Sequence, residues 1–492
     1  MKKKCGILMP VFSLPGKYGI GSFGKESREF VDYLAAAEQS VWQVLPLGQT
    51  SFGDSPYQPL ADDSLNPYFI DLEALGEEGL LTGDELKSAE RPMGDVDYGD
   101  LYRERFPLLK KAYARFEKTD DFYLFSRRKR VFCACAFASL KELYGCSFDG
   151  FPERYRRYDP HAINLFISKN RDAFYFRVFL QYILERQFAA LKAYAKEKGV
   201  ALLGDLPLYV GYDSADVWAN PGLFRLDGDL CPKEVAGVPP DYFSEDGQLW
   251  GNPVYDYAAM EKDGFRWWKA RLKNALSRFD IVRIDHFRGL DRFWSVPFGQ
   301  TARSGKWETC PGREILRGAP SSRLVAEDLG TIDDGVRSLM RETGLRGMKV
   351  LLFAFDGNPD NPYLPENVPS ASVCYTGTHD NDTVAGYRQR LSPREREIFD
   401  RRAKESFAKL GVGYGKTDRG VSRAFVRAAY ACKAELAVVP FADVKGLGNG
   451  FRINTPATVG NWKVRFPKKL FDDESAEFLS ALARRYGRSP GK

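Results

Sequence analysis

Ile281-Val282-Arg283-Ile284-Asp285-His286-Phe287 is the stretch on which the fold turns. A short, mostly apolar run closes on a carboxylic acid and a histidine, with an arginine two positions before the acid. Side chains alternate between the faces of a strand, so Arg283 and Asp285 share one face while Ile284 and His286 share the other. Such a run reads as a buried strand of a parallel sheet, with functional atoms at its C-terminal end. One acid after one apolar strand is ordinary punctuation, and alone it specifies nothing.

The same pattern recurs on both sides. Residues 6–9, 41–45, 201–205, 323–327, 348–353, 372–376 and 436–439 are short apolar runs, many ending in an acid, Pro or Gly. With 281–285 they make eight candidate strands. Helical stripes lie between several of them. Leu184, Phe188, Leu191 and Ala195 form one, stopped by Gly199, and Phe265, Trp268, Leu272, Leu276 and Phe279 form another. Thr331 is expected to cap a helix carrying Ile332, Val336, Leu339 and Met340, with Gly344 beyond its end. Strands alternating with helices predict an α/β fold, and eight such units predict a (β/α)8 TIM barrel.

Three connections are too long for one crossover helix. The expectation is therefore a single catalytic barrel over 1–492 with mainly helical insertions. Residues 47–170 would form a helical subdomain, 206–262 a loop-rich segment with an active-site lid, and 381–434 a second helical insertion. No internal repeat or low-complexity linker divides the chain.

Composition narrows the function classes. Across 492 residues, 44% are apolar and 28% charged, which describes a globular protein able to bury a sizeable core. The net charge of +6 is small, and the densest basic run, Arg127-Arg128-Lys129-Arg130, lies among helical phenylalanines. It reads as a solvated helix face, so no nucleic-acid partner is expected. Eight scattered cysteines without a Cys-x-x-Cys, and only three histidines, argue against a zinc site and for reduced thiols. Lys2-Lys3-Lys4 and the apolar residues after it superficially resemble a signal peptide, but Pro10 interrupts them and no small-residue cleavage site follows. They read as the first strand. No stretch is long enough to cross a membrane, so the protein is expected in the cytoplasm. Gly19–Gly24 lacks a dinucleotide fingerprint. Aromatics at 14% suit sugar recognition and a well-filled core equally, so they decide nothing.

Catalytic groups of a (β/α)8 barrel sit where its strands run out at the C-terminal face. Three strands bring an acid there: Asp285 on the fourth, Glu327 in Leu324-Val325-Ala326-Glu327-Asp328-Leu329-Gly330 on the fifth, and Asp380 in Thr376-Gly377-Thr378-His379-Asp380-Asn381-Asp382 on the seventh. Three acids converging on one mouth suit glycoside transfer with retention. One carboxylate attacks the anomeric carbon, while a second, protonated, assists the leaving oxygen and then serves as base. Arg283 is expected to hold Asp285 as the carboxylate, and neighbouring carboxylates to favour the proton on Glu327. The third acid, with His379 beside it, would grip sugar hydroxyls and stabilise the oxocarbenium-like transition state. A metal site from Asp285, His286, His379 and Asp380 is not expected, because strand neighbours face opposite ways and too few ligands would converge.

Arg-Ile-Asp-His-Phe, Ala-Glu-Asp-Leu-Gly and Thr-His-Asp-Asn-Asp-Thr resemble three signature regions of the α-amylase superfamily, in the form seen in amylomaltases (glycoside hydrolase family 77). Ser13-Leu14-Pro15, Ser55-Pro56-Tyr57, Gly204-Asp205-Leu206-Pro207, Gly237-Val238-Pro239-Pro240-Asp241 and Arg452-Ile453-Asn454-Thr455-Pro456 match as well, in the same order from about residue 6 to 466. The resemblance implies transfer of α-1,4-glucan segments, with Asp285 as nucleophile, Glu327 as general acid/base and Asp380 as transition-state stabiliser. Arg283 and His379 would be their polar partners. Tyr57 and Trp250 would be aromatic platforms, and Asp205 a sugar-contacting or structural acid. For Asn454, Asn461 and Trp462, substrate contact and structural support stand level. The resemblance implies maltooligosaccharides and starch- or glycogen-type glucans as substrates and glucose as an acceptor, with no cofactor and no catalytic metal. One departure is the absence of tryptophan from 122–158, where relatives often carry several. The acids alone do not separate transfer from hydrolysis, so an α-amylase-like hydrolase is the nearest rival. A silent glucan-binding protein would be expected to lack one of the three acids. The segment 239–253, with Tyr242, Phe243 and Trp250, is a candidate lid that excludes water until an acceptor arrives.

Overall fold

The computed structural model describes residues 3–50, 52–240 and 245–490. Eight parallel strands close into a barrel: β1 (Lys4–Leu8), β2 (Val41–Gln43), β3 (Ala201–Leu206), β4 (Ile281–Ile284), β5 (Leu324–Ala326), β6 (Arg346–Val350), β7 (Ser372–Tyr375) and β8 (Leu436–Pro440). Each pairs with its sequence neighbours, and β1 closes the ring against β8. All eight expected strands are present. The sixth begins two residues earlier than its apolar run suggests and ends at Val350, where Leu351–Phe353 turns into a 3-10 helix.

The strands are almost wholly buried because helices cover them from outside. Arg171–Glu197 brings Leu184, Phe188, Leu191 and Ala195 inward, and Gly199 follows in the left-handed conformation (φ 74°). Arg266–Arg278 buries Trp268, Leu272 and Leu276, and with them Arg271, a charge inside an otherwise apolar stripe. The helix expected to start at Thr331 runs instead over Asp334–Thr343 and is capped by Asp333. Arg288 binds both the Thr331 carbonyl and the Asp333 carboxylate, which keeps Thr331 in the loop and leaves the cap to Asp333.

Between β2 and β3 lie helices that include Tyr98–Arg115 and Lys129–Tyr144, and between β7 and β8 lie Val384–Arg390, Pro393–Lys409 and Asp418–Ala431. A second sheet was not legible in the sequence. Gln248–Pro253, Glu234–Val238, Arg292–Pro297 and Lys306–Thr309 form four antiparallel strands in that order. The segment read as loop-rich supplies two of them, and the β4–β5 connection supplies the others. Gln-Leu-Trp-Gly-Asn-Pro is poor strand sequence, so pairing across the fold sets its conformation rather than local preference.

Candidate active site

The mouth of the barrel is assembled by strand register. Asp205 on β3 lies opposite Arg283 on β4, so both side chains enter the same face, and Asp285 two residues on joins them. Arg283 donates to Asp205 at 2.6 Å through Nη1 and pairs with Asp285 at 2.9 Å through Nη2. The guanidinium side chain is 3% exposed and the Asp205 side chain 0%, whereas that of Asp285 is 28% exposed. One buried cation thus joins a fully enclosed carboxylate to one that faces the cleft.

Glu327 continues β5 beside Asp285: its N–H donates to the Ile284 carbonyl at 3.0 Å, and its carbonyl accepts from Phe287 at 3.1 Å. Its carboxyl accepts from the His286 N–H at 2.8 Å and the Leu329 N–H at 3.1 Å. His286 reaches that position only in the left-handed conformation (φ 48°), a strained backbone for a residue with a Cβ. Burial pushes the Glu327 carboxyl up to about 8, against the pull of Arg283 and with the charge of Asp285 adding to the rise. Neighbouring carboxylates were the expected cause, and burial is the larger one. The His286 imidazole is driven the other way by burial, down to about 4, and its ring meets the edge of Trp250 at 4.7 Å.

The seventh strand ends in a turn held from several sides. Asn381 accepts from the N–H and hydroxyl of Thr378, which aims His379 and Asp380 at the mouth. Asp380, 39% exposed at its side chain, takes a 2.5 Å hydrogen bond from the Asn454 amide and lies 3.3 Å from His379 Nε2. Tyr57 closes the ring of contacts. Its hydroxyl donates to Asp205 at 2.8 Å and lies 2.9 Å from His379 Nε2, and its ring stacks on the His379 imidazole at 5.4 Å. Burial, with Asp205 beside it, holds the Tyr57 phenol well above its ordinary range.

The structure therefore brings Asp205, Arg283, Asp285, Glu327, His379, Asp380, Tyr57 and Asn454 together, with Trp250 at the rim on His286. Trp462 packs on Tyr57 and His379 in a left-handed backbone (φ 65°), and Asn461 is spent within its own loop, bonded to Thr455 and Thr458. Tyr242 and Phe243 of the candidate lid lie outside the described residues. Among the described residues no three His, Cys, Asp or Glu side chains are grouped to hold a metal ion, and no helix is long and apolar enough to cross a membrane.

Two contributors were missed. Arg452 donates to the Asp380 carbonyl at 2.6 Å and to the Asp382 carboxylate at 2.5 Å, fixing the loop on which Asp380 stands. Asp443, 0% exposed, accepts from the Thr376 hydroxyl at 2.5 Å and the Val384 N–H at 2.8 Å. Burial raises its carboxyl to about 6. Its only signal in the sequence is a lone acid closing Val438-Val439-Pro440-Phe441-Ala442.

A parallel barrel with carboxyls at the ends of its fourth, fifth and seventh strands is the frame of an α-amylase-type carbohydrate-active enzyme. The chain belongs to the 4-alpha-glucanotransferase family, glycoside hydrolase family 77, whose model matches residues 9–470. It is similar to the 4-alpha-glucanotransferase of Clostridium butyricum, 39% identical over 98% of this chain and 100% of that one, and to that of Thermus thermophilus, 40% identical over 97% of each. Among solved structures it resembles the amylomaltase from Streptococcus agalactiae in complex with acarbose, with a TM-score of 0.93 and 32% identity over 99% of this chain and 100% of that one. The fold is shared with the amylomaltase from Corynebacterium glutamicum at a TM-score of 0.81, 18% identity and coverage of 98% and 75% respectively.

Proposed function

We propose that this chain moves α-1,4-glucan segments between chains by double displacement, with Asp285 as nucleophile, Glu327 as acid and base, and Asp380 as the group that grips the sugar in the transition state. The observation that carries the reading is the contrast between two adjacent strand ends. Asp285 is partly open and paired with a guanidinium, while burial keeps a proton on Glu327. In the first step an Asp285 oxygen bonds to the anomeric carbon, the glycosidic C–O bond breaks, and the Glu327 proton goes to the leaving oxygen. In the second, Glu327 takes a proton from the incoming 4-hydroxyl, whose oxygen displaces Asp285. Asp380, held by Asn454, would hydrogen-bond the ring hydroxyls as the anomeric carbon flattens.

The substrates of this reading are maltooligosaccharides and starch- or glycogen-type α-1,4-glucans, with glucose as an acceptor. It requires no redox cofactor, metal, nucleic acid or membrane. Eight free cysteines, six of them buried, support a place in the reducing cytoplasm. Transfer in preference to hydrolysis is attributed to the segment 239–253, whose Trp250 stands at the rim on His286, and shortening this segment should raise the share of hydrolysis. The reading is tested by incubating the protein with maltotriose alone. A ladder of longer maltooligosaccharides with glucose is the expected result; glucose and maltose without longer products would make the chain a hydrolase.

A further inference from the structure

A cavity of about 730 Å³ opens between the helical insertion and helix Arg266–Arg278, and no mouth residue lines it. That volume suits an extended small ligand. Its walls include the half-buried aromatic side chains of Trp267 and Tyr158, and its floor holds Asp62, Asp216 and Arg271. The charges are matched: Arg271 pairs with Asp62 at 2.6 Å, the Asp62 N–H donates to Asp216 at 2.8 Å, and Arg130 at the rim pairs with Asp63 at 3.1 Å. No single sign dominates, which disfavours a phosphate or a cation. Burial, helped by the charge of Asp62, lifts the Asp216 carboxyl to about 7, so near neutrality it can donate as well as accept. The Arg271 guanidinium lies 5.6 Å from the centre of the Trp267 ring, which fixes that aromatic wall over the charged floor.

Aromatic faces beside groups that donate and accept suit a neutral polyhydroxylated chain, whose C–H faces stack while its hydroxyls bond. We propose that this cavity is a second, non-catalytic binding site for α-1,4-glucan chains. The choice of glucan rests on the function proposed above, whereas the existence of the site does not. The floor is tied to the barrel, because Arg271 also donates to the Pro207 and Leu208 carbonyls at 2.6 and 2.9 Å, just beyond Asp205 on β3. A long chain held here would stay beside the mouth between transfers.

Gly222 lines the cavity, and a Cβ placed on it meets no atom within 4 Å, so Gly222→Trp can fill the space without a clash in the backbone. Retardation in native gels containing glycogen reads binding of long chains, and maltotriose disproportionation reads the mouth alone. Gly222→Trp and Trp267→Leu should each weaken retardation about fivefold or more. Maltotriose turnover should stay within about twofold of the parent, since neither residue touches the mouth. Unchanged retardation in both variants overturns the site, and so does a parallel fall in maltotriose turnover, which would make the cavity part of the catalytic cleft. A parent that glycogen retards but that leaves maltotriose unchanged would sink the transferase reading and leave the cavity to be judged by retardation.

Discussion

Arg283 and Arg488 are buried at opposite ends of the same barrel, and their partners differ in kind. Arg283, at the mouth, lies between two carboxylates, Asp205 and Asp285. Arg488, 0% exposed at the floor, has main-chain carbonyls alone as hydrogen-bond partners among the described residues: Tyr430 at 2.8 Å, Lys4 at 2.9 Å and Cys432 at 3.0 Å. Tyr430 and Cys432 end helix Asp418–Ala431, whose last carbonyls have no partner within the helix, and Lys4 begins β1. The floor arginine thus closes seams, and its partners keep one state at any pH. The mouth arginine joins two ionisable groups, Asp205 and the Asp285 proposed above as nucleophile. On the roles proposed above, the floor serves stability alone, whereas the mouth serves stability and chemistry together.

The strongest test of that separation is to remove an ionisable group from the mouth without removing volume. Asp285→Asn or Glu327→Gln should lower transfer by about a thousandfold or more while leaving the melting temperature near that of the parent. Near-parental turnover in a purified variant would refute the assigned roles. Arg283→Met blurs the comparison by design. It strands the enclosed Asp205 carboxylate, so it should cost about 3–5 kcal/mol of stability as well as activity. Urea unfolding measures the first, and maltotriose turnover the second. Arg488→Ala is the matching change at the floor. It leaves three carbonyls short of a donor and should cost about 2–3 kcal/mol, with kcat/KM per folded molecule unchanged. A fall in kcat/KM at a temperature where the variant is fully folded would show that the floor reaches the mouth.

The same contrast explains what was legible in the sequence. Each barrel strand announces itself locally, as an apolar run with an abrupt end, and Asp285, Glu327 and Asp380 stand at such ends. What stayed hidden depends on residues distant in sequence. Asn454 was legible as a candidate but not as the partner of Asp380, which it meets across 74 positions, and Arg488 reaches Lys4 across 484. Asp443, Arg452 and the four-stranded sheet are likewise set by packing and pairing across the fold, which no periodicity records. The N-cap misplaced by two residues, Thr331 for Asp333, has the same origin, since Arg288 fixes that loop from another strand's connection.

The pH dependence of stability is the most direct reading of the mouth. Folded Glu327 keeps its proton up to about pH 8, while in the unfolded chain it titrates near 4.5. Between those values the folded state holds one proton more than the unfolded, so raising the pH favours unfolding. The contribution is complete below the unfolded value and is lost as the pH rises through the folded one. Glu327→Gln carries no titrating proton, so its melting temperature should fall less between pH 5 and 8 than that of the parent. Arg488→Ala should keep the Glu327 part of the parent's slope while lowering the whole profile; it would also release the Cys432 thiol, lowered to about 7 by its hydrogen bond with Cys374 and by the Arg488 charge, toward a higher value. Coincident slopes for the parent and Glu327→Gln would mean that burial does not hold the proton, and the first chemical step would then need another acid.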